Sequence, residues 1–184
     1  MHDHVERLRR ERDEDVLTGC LNRRGFFSAI ESRIVEISSR DHFVLLVDVD
    51  YFKAINDTHG HAVGDEVLHL FAKTLREALG PKDLILRIGG EEFAILLSST
   101  QTKAEAIALA EHLRHQVRVT PYQGLSSGLL CFTASFGLAP FAISIDHTLQ
   151  QADALLYQAK KLGRNRVEAS LEVRPTPPVP ACTA

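Results

Sequence analysis

The segment near the middle of the chain reads Arg87-Ile88-Gly89-Gly90-Glu91-Glu92-Phe93. On either side of it, apolar residues alternate along two short runs, 84–88 and 93–97, which is the pattern of half-buried strands. A Gly-Gly pair between two such runs predicts a tight β-hairpin, because glycine tolerates the positive φ angles of these turns. The tip therefore carries two adjacent carboxylates, Glu91 and Glu92, beside a backbone without side chains. That arrangement leaves room for a bulky ligand and for a bridging cation.

Composition limits the classes of protein to consider. The 184 residues are 45% hydrophobic and 24% charged, which suits one water-soluble domain with a sizeable core. The formal net charge of −3 argues against bulk attraction to nucleic acid, so any phosphate binding must be local. Three scattered cysteines, a charged N-terminus without a signal peptide and no long apolar run predict a cytoplasmic protein with no membrane span.

The sequence divides into three regions. Residues 1–14 are highly charged and predict a short helix that buries little surface by itself. Residues 15–169 contain the helical and strand patterns of one domain, and residues 170–184 have the proline-rich composition that is typical of disorder. The predicted helices span about 23–39, 60–79, 102–119 and 148–162, and the predicted strands span 43–50, 84–88, 93–97 and 130–137.

This order of elements predicts an α/β fold around one sheet. A helix separates strands 43–50 and 84–88, so these strands are expected to be parallel and joined by a right-handed connection. Parallel strands end at the same edge of a sheet, where ligands favour binding in open α/β folds. Asp48 and Asp50 are therefore expected at the edge from which the glycine-rich tip emerges.

The acids at this edge are candidate metal ligands. Asp48 and Asp50 are two residues apart on a strand and so share a face. With Glu91 and Glu92 they place up to four carboxylates in one small volume, where repulsion raises pKa values unless a cation binds. Mg²⁺ beside substrate phosphates is the usual occupant of such a site. Alternatively, Asp48 and Asp50 are solvated acids at a strand end; the expected convergence with the tip favours the metal site.

Two further segments carry candidate nucleotide contacts. The backbone N–H groups of residues 51–61 are candidates for a phosphate cradle. Asn56 and Asp65 offer the amide and the carboxylate that a guanine edge needs, although both residue types are also ordinary helix caps. The basic cluster at 160–166 is either a phosphate clamp or a favourable partner of the helix dipole.

These separated motifs together resemble the GGDEF domain, the diguanylate cyclase family. The resemblance covers residues 15–167 and rests on the segments 15–24, 47–65, 89–93, 133–137 and 160–164. It implies an α/β (α+β) fold similar to nucleotidyl cyclases and polymerase palms, with a central mixed, largely antiparallel five-stranded sheet flanked by helices. It also implies that two GTP molecules are condensed into cyclic di-GMP with release of two pyrophosphates.

The resemblance assigns a role to each candidate residue. Mg²⁺, with Mn²⁺ as an alternative, is implied at Asp48, the carbonyl of Val49, Glu91 and Glu92. Glu91 is also the implied acceptor of the proton from the attacking ribose 3′-hydroxyl. The implied catalytic group comprises Glu91, Glu92 and Arg87, and the implied substrate contacts are Phe52, Lys53, Asn56, His61, Asp65, Gly89, Gly90, Lys160 and Arg164.

Partners follow from the implied reaction. One domain binds one GTP, so closing two phosphodiester bonds requires a homodimer whose two domains face each other. Residues 1–14 resemble the end of the stalk that joins such domains to sensory modules, so a sensory module or partner outside this chain is expected.

One departure from the family pattern is expected to matter. The family's product-inhibition motif, Arg-x-x-Asp, reads here Gly80-Pro81-Lys82-Asp83. Glycine lacks the guanidinium that binds a guanine or a phosphate, so feedback binding of cyclic di-GMP is expected to be weak or absent. Two alternative functions stay open, a nucleotide-binding regulatory module without turnover and a nucleotidyl cyclase that uses ATP.

Overall fold

The computed structural model of the protein describes residues 11–33, 42–100, 102–126, 128–141 and 144–170. The predicted tail lies outside these ranges except for Ser170, and of the predicted N-terminal helix only residues 11–14 are described, of which 11–13 are helical. The elements in chain order are α1 (Arg23–Ser32), β1 (Phe43–Val49), α2 (Phe52–His59), α3 (His61–Ala78), β2 (Leu84–Gly89), β3 (Glu92–Leu97), α4 (Lys103–Val119), β4 (Tyr122–Leu125), β5 (Gly128–Leu130), β6 (Ala134–Pro140), α5 (Ile145–Lys161) and β7 (Val167–Ala169). No helix in the described ranges is long and apolar enough to cross a membrane.

A five-stranded sheet lies at the centre of the fold, with its strands in the order β2-β3-β1-β6-β7. Of its four neighbouring pairs, only β6 and β7 are parallel. The expected mixed, largely antiparallel sheet is therefore confirmed. The strands β4 and β5 form a separate hairpin.

The predicted relation between the first two strands needs a correction. β1 and β2 run in the same direction, but they are not neighbours, because β3 lies between them and is antiparallel to both. The tight turn after β2 sends the chain straight back, and the returning strand pairs with β1 on its other side. Asp48 nevertheless lies at the same edge as the glycine-rich tip, as expected, since it is directly opposite Glu92 in the β1–β3 ladder.

Several predicted elements differ in their boundaries or type. Residues 52–59 form the helix α2, where the sequence predicted a backbone phosphate cradle and no helix. The strand predicted at 130–137 is broken by residues 131–133, so that β6 begins only at Ala134. α5 begins earlier than predicted because the Ser144 hydroxyl caps it by accepting from the His147 N–H. The helix predicted at 23–39 ends at Ser32, and residues 34–41 lie outside the described ranges.

The central strand β1 is buried along its whole length. Leu45 and Val47 pack on one face of the sheet with residues of α3 and α4. Val44 and Leu46 pack on the other face with residues of α1 and α5. Because helices cover both faces, the strand is continuously apolar until its carboxyl end, where the first acid appears.

The contact between α5 and the sheet depends on Gly137. A Cβ atom added at this position would lie 2.2 Å from the Ala152 carbonyl oxygen and 2.5 Å from the Leu156 nitrogen. Both atoms belong to the helix backbone, which cannot move aside without lifting α5 from β6.

We expect Gly137→Ala to destabilise the domain by about 1–3 kcal/mol, the usual cost of forcing extra atoms into a packed core. Urea unfolding measures this change. Gly80→Ala is the matched control, because a Cβ there would lie 3.4 Å from its nearest neighbours, which is an ordinary contact. Equal unfolding midpoints for the two variants would contradict the close approach of α5.

Candidate active site

The glycine-rich tip is held in place by a side chain of its own hairpin. Gly90 has a φ of 53°, a left-handed conformation that favours glycine. The Arg87 guanidinium donates to the Gly90 carbonyl from Nε at 3.0 Å and from Nη2 at 2.8 Å. The Val49 N–H donates to the Glu91 carbonyl at 3.4 Å. The turn that carries Glu91 is therefore tied both to β2 and to the end of β1.

The same guanidinium also reaches the segment before α1. Arg87 Nη1 donates to Asp15 Oδ1 at 3.0 Å, and Asp15 further accepts from the Thr18 N–H and hydroxyl. Burial acts to raise the pKa of Asp15, but the hydrogen bonds from Thr18 and Arg87 outweigh it and lower the pKa. Arg87 thus braces the hairpin in this structure, and the catalytic role that the resemblance implies for it stays a prediction.

An ion pair between a buried carboxylate and a partly exposed lysine lies beside the tip. Asp48 is 6% exposed, and its Oδ2 lies 2.7 Å from the Lys160 ammonium on α5. Asp48 and Glu92 are directly opposite each other in the ladder, so their side chains share a face. Burial raises the pKa of the Asp48 carboxyl, Lys160 lowers it, and the charges of Glu91 and Glu92 raise it further, so that the net shift is upward.

The donors around this ion pair fit a hard divalent cation in their chemistry. Within the described residues, no three His, Cys, Asp or Glu side chains are already gathered closely enough to hold a metal. The charges of Glu91 and Glu92 nevertheless raise the pKa of Asp48, and the Lys160 ammonium is the positive group that contacts the Asp48 carboxylate. Carboxylate and carbonyl oxygens are the ligands that Mg²⁺ prefers. The residues that would hold it are Asp48, Val49 through its carbonyl, Glu91 and Glu92.

The fourth predicted carboxylate does not join this group. Asp50 is 3% exposed and accepts hydrogen bonds of 2.6 Å from the hydroxyls of Thr133 and Ser135. A buried carboxylate that is already satisfied by protein donors has little to offer a cation. The hypothesis of a four-carboxylate cluster is therefore wrong in this respect.

The candidate base-recognition residues lie on two adjoining helices, α2 and α3. Neither Asn56 nor Asp65 caps a helix, because the N-caps are Tyr51 and Gly60, which provide no side-chain cap. Asp65 and His61 are exposed on the first turns of α3. The structure therefore removes the capping interpretation that the sequence left open for Asn56 and Asp65.

Gly64 brings these two helices close together. A Cβ at Gly64 would lie 1.9 Å from Asn56 Oδ1. Only glycine therefore lets the Asn56 amide pack against α3 at this position, which directly precedes Asp65. Asn56 Oδ1 is buried and has no hydrogen-bond partner among the described residues. An unpaired buried oxygen costs about 1–3 kcal/mol, so folding alone does not explain an asparagine at this position.

The expected phosphate contacts meet at the start of α2. Tyr51 precedes the helix with a φ of 57°, and Phe52 and Lys53 are its first two residues, whose N–H groups have no acceptor within the helix. The Arg164 guanidinium stacks 4.5 Å from the centre of the Tyr51 ring. The helix start is therefore close to the basic segment that follows α5.

Sequence reasoning missed Tyr51 and Gly64. An isolated glycine inside a helical pattern is a signal of close packing, and it was available for Gly64. Tyr51 gives no comparable signal, because tyrosine has no preference for the left-handed conformation that it adopts here.

Comparison with known families matches residues 12–166 to the family described as "Diguanylate cyclase, GGDEF domain". The chain is similar to "Diguanylate cyclase DgcM" of Escherichia coli (strain K12), with 41% identity over 180 residues that cover 92% of this chain and 43% of DgcM. It is also similar to "Diguanylate cyclase DgcP" of Pseudomonas aeruginosa, with 35% identity over 173 residues that cover 92% of this chain and 26% of DgcP. The chain thus spans less than half the length of these relatives.

Solved structures show the same architecture. The coiled coil and GGDEF domain of DgcB from Caulobacter crescentus, in complex with c-di-GMP, superposes with a TM-score of 0.83 at 29% identity, covering 92% of this chain and 91% of that one. Diguanylate cyclase SiaD of Pseudomonas aeruginosa, in complex with its activator SiaC, gives a TM-score of 0.81 at 33% identity, covering 92% and 66% of the two chains. From the shared fold and the family match over most of its length, the chain belongs to the GGDEF diguanylate cyclase domain family.

Proposed function

We propose that this domain is a metal-dependent diguanylate cyclase that condenses two GTP molecules into cyclic di-GMP and releases two pyrophosphates. The observation that carries the proposal is the buried Asp48 carboxylate. It faces Glu92 across the ladder, lies near Glu91 at the tip and has the Lys160 ammonium at 2.7 Å. Acids gathered beside an exchangeable cation are suited to metal-assisted transfer of a nucleotidyl group.

The acids of the tip carry the chemistry in this proposal. Asp48, the Val49 carbonyl, Glu91 and Glu92 would hold Mg²⁺ or Mn²⁺, which would supply positive charge that neutralises the reacting phosphates. The Glu91 carboxylate accepts the proton of the attacking 3′-hydroxyl as the oxygen bonds to the α-phosphorus and pyrophosphate leaves. Arg87 holds the Gly90 carbonyl and thereby fixes the turn on which Glu91 lies.

The triphosphate is proposed to lie between the start of α2 and the end of α5. The N–H groups of Phe52 and Lys53 donate to phosphate oxygens, as helix N-termini do. The side chains of Lys160 and Arg164 supply the positive charge, and Lys160, which contacts Asp48 in this structure, would contact a phosphate oxygen instead. Gly89 and Gly90 have no side chains and so leave space beside the tip for the nucleotide.

The base is proposed to be recognised by Asn56, His61 and Asp65. A carboxylate accepts from two donors of the guanine edge, and the amide of Asn56 adds a complementary contact. Adenine presents a different pattern of donors and acceptors, so this set favours GTP over ATP.

Turnover is proposed to need two copies of the domain, because each copy supplies one GTP and one attacking hydroxyl. A homodimer with facing sites meets this requirement, and a sensory module or partner outside this chain is proposed to bring the copies together. We place the protein in the cytoplasm, where its free thiols Cys20 and Cys131 stay reduced.

We expect wild-type protein incubated with GTP and Mg²⁺ to produce cyclic di-GMP, and Asp48→Asn or Glu91→Gln to reduce turnover by about 10³-fold or more, because each removes charge from the metal site. Chromatography of the products measures this. Glu77→Gln is the matched control, since Glu77 is an exposed acid 3.9 Å from Lys73. No cyclic dinucleotide from wild type, even when two copies are fused to a dimerising coiled coil, would contradict the proposal. Tight GTP binding without product would instead favour the regulatory module.

Base selectivity gives a separate prediction. Asp65→Ala is expected to weaken GTP binding by about 10- to 100-fold and to narrow the difference between GTP and ATP, because the guanine donors lose their acceptor. Calorimetry with both nucleotides on the Glu91→Gln background measures the two affinities. An unchanged preference for GTP over ATP would show that residues other than Asp65 recognise the guanine base.

The product-inhibition position also has a structural explanation. The Asp83 carboxylate accepts from the Gly80 N–H at 2.9 Å, from the Ser98 N–H at 2.7 Å and from the Ser99 N–H at 3.0 Å. It thereby ties the segment before β2 to the segment after β3. This use of Asp83 supports the proposal that the retained acid is structural and that the high-affinity feedback site is absent.

Cyclic di-GMP is therefore expected to show no submicromolar site outside the catalytic edge. Calorimetry on Glu91→Ala tests this, and a submicromolar site that disappears in Asp83→Ala but persists in Lys82→Ala would overturn the proposal. Asp83→Ala should also lower the free energy of unfolding by about 1–3 kcal/mol, because it leaves backbone N–H groups without acceptors.

A further inference from the structure

Asp50 lies at a junction of three segments. Its Oδ1 accepts from the Ser135 hydroxyl, and its Oδ2 accepts from the Thr133 hydroxyl and from the Asn165 N–H at 3.0 Å. Its own N–H donates to the Thr133 carbonyl at 2.8 Å. One buried carboxylate thus joins the end of β1, the start of β6 and the turn after α5.

The left-handed backbone of this protein is concentrated around that junction. Among the described residues, Tyr51, Arg164 and Asn165 are the non-glycine residues with a positive φ, at 57°, 63° and 46°. Tyr51 follows Asp50 directly, Asn165 donates to it, and Arg164 stacks on Tyr51. Such conformations persist where the surroundings hold them, and they cluster at ligand clamps.

The turn after α5 is held from a second side as well. Arg114 on α4 donates from Nη1 to Asn165 Oδ1 at 2.9 Å. The backbone N–H of Asn165 is thus bound to Asp50 while its side chain is bound to α4. This double anchor fixes the direction in which the preceding Arg164 leaves the chain.

The start of α2 and the turn that carries Arg164 are both proposed to contact the phosphates of GTP. Asp50 is followed directly by Tyr51 and then by the first N–H groups of α2. It also accepts from the Asn165 N–H, and this bond holds the turn that carries Arg164. These are the two sources of phosphate contacts in the proposed function, and they come from segments more than 100 residues apart. The carboxylate of Asp50 itself is enclosed by protein donors.

We propose that Asp50 is a positioning residue for the triphosphate clamp and not a metal ligand. It rests on the proposed function, since the clamp matters only if GTP binds at this edge. Asp50 holds the Arg164–Asn165 turn against the start of α2, so that the cation and the helix N–H groups meet the β- and γ-phosphates together.

The test compares GTP with GMP, which lacks the β- and γ-phosphates, by calorimetry on the non-turning Glu91→Gln background. Asp50→Ala is expected to weaken GTP binding by about tenfold, the loss of one charge-assisted contact, and to leave GMP binding unchanged. Asp50→Asn is expected to restore GTP binding. Its amide oxygen accepts from Thr133 and Asn165, and its amide nitrogen donates to the Ser135 hydroxyl. A metal ligand would not be rescued in this way.

A double-mutant cycle with Arg164→Ala separates positioning from general damage. If Asp50 acts through Arg164, Asp50→Ala adds little further loss of GTP affinity once Arg164 is gone, because coupled residues are not additive. Asp153→Asn, an exposed acid on α5, is the matched control and is expected to bind both nucleotides like the parent. Should Asp50→Ala fail to fold, Asn165→Ala loosens the same turn from its other side and is expected to show the same loss for GTP alone.

The outcomes are distinct. Equal losses for GTP and GMP, additive effects in the cycle, or an Asp50→Asn variant as weak as Asp50→Ala would each overturn the positioning role. If the parent binds neither nucleotide, the proposed function itself fails, and the positioning role fails with it.

Discussion

The ion pair between Asp48 and Lys160 is the interaction around which the candidate site is arranged. It joins the end of the central strand to the last turn of α5, and it provides the partner that a buried carboxylate requires. Glu92 faces Asp48 across the ladder, and Glu91 lies on the adjacent turn. At this edge the charges of Glu91 and Glu92 both act on the Asp48 carboxylate, which one lysine contacts. Burying this excess of negative charge is unfavourable for folding, and a bound divalent cation would offset it.

Two aspartates that look equivalent in the sequence have different surroundings. Asp48 and Asp50 are two residues apart and both buried, yet the first contacts a lysine and the second accepts from hydroxyl and backbone donors. The difference lies in what faces each carboxylate. The hydroxyl and backbone donors to Asp50 are fixed by the fold, so Asp50 is part of the scaffold. The Lys160 ammonium lies at the end of a flexible side chain, so the Asp48 carboxylate stays available to another cation.

Much of this arrangement could be predicted from the sequence, because it depends on local signals. The Gly89-Gly90 pair between alternating runs predicted the hairpin, and the position of Asp48 at the end of β1 predicted that it lies near the hairpin tip. Contacts between distant segments could not be predicted. The partners of Asp50 lie 83 to 115 residues away, and β7 is only three residues long, too short for a periodic pattern. The helix α2 was missed because its eight residues begin without a side-chain cap.

The most direct measurement is a crystal structure of the protein with Mg²⁺ and the α,β-methylene analogue of GTP, which cannot release pyrophosphate. We predict that the carboxylates of Asp48 and Glu91 contact a common metal ion and that the Lys160 ammonium has moved from Asp48 to a phosphate oxygen. A bound nucleotide with Lys160 still paired to Asp48, and with no metal at Asp48 or Glu91, would contradict it.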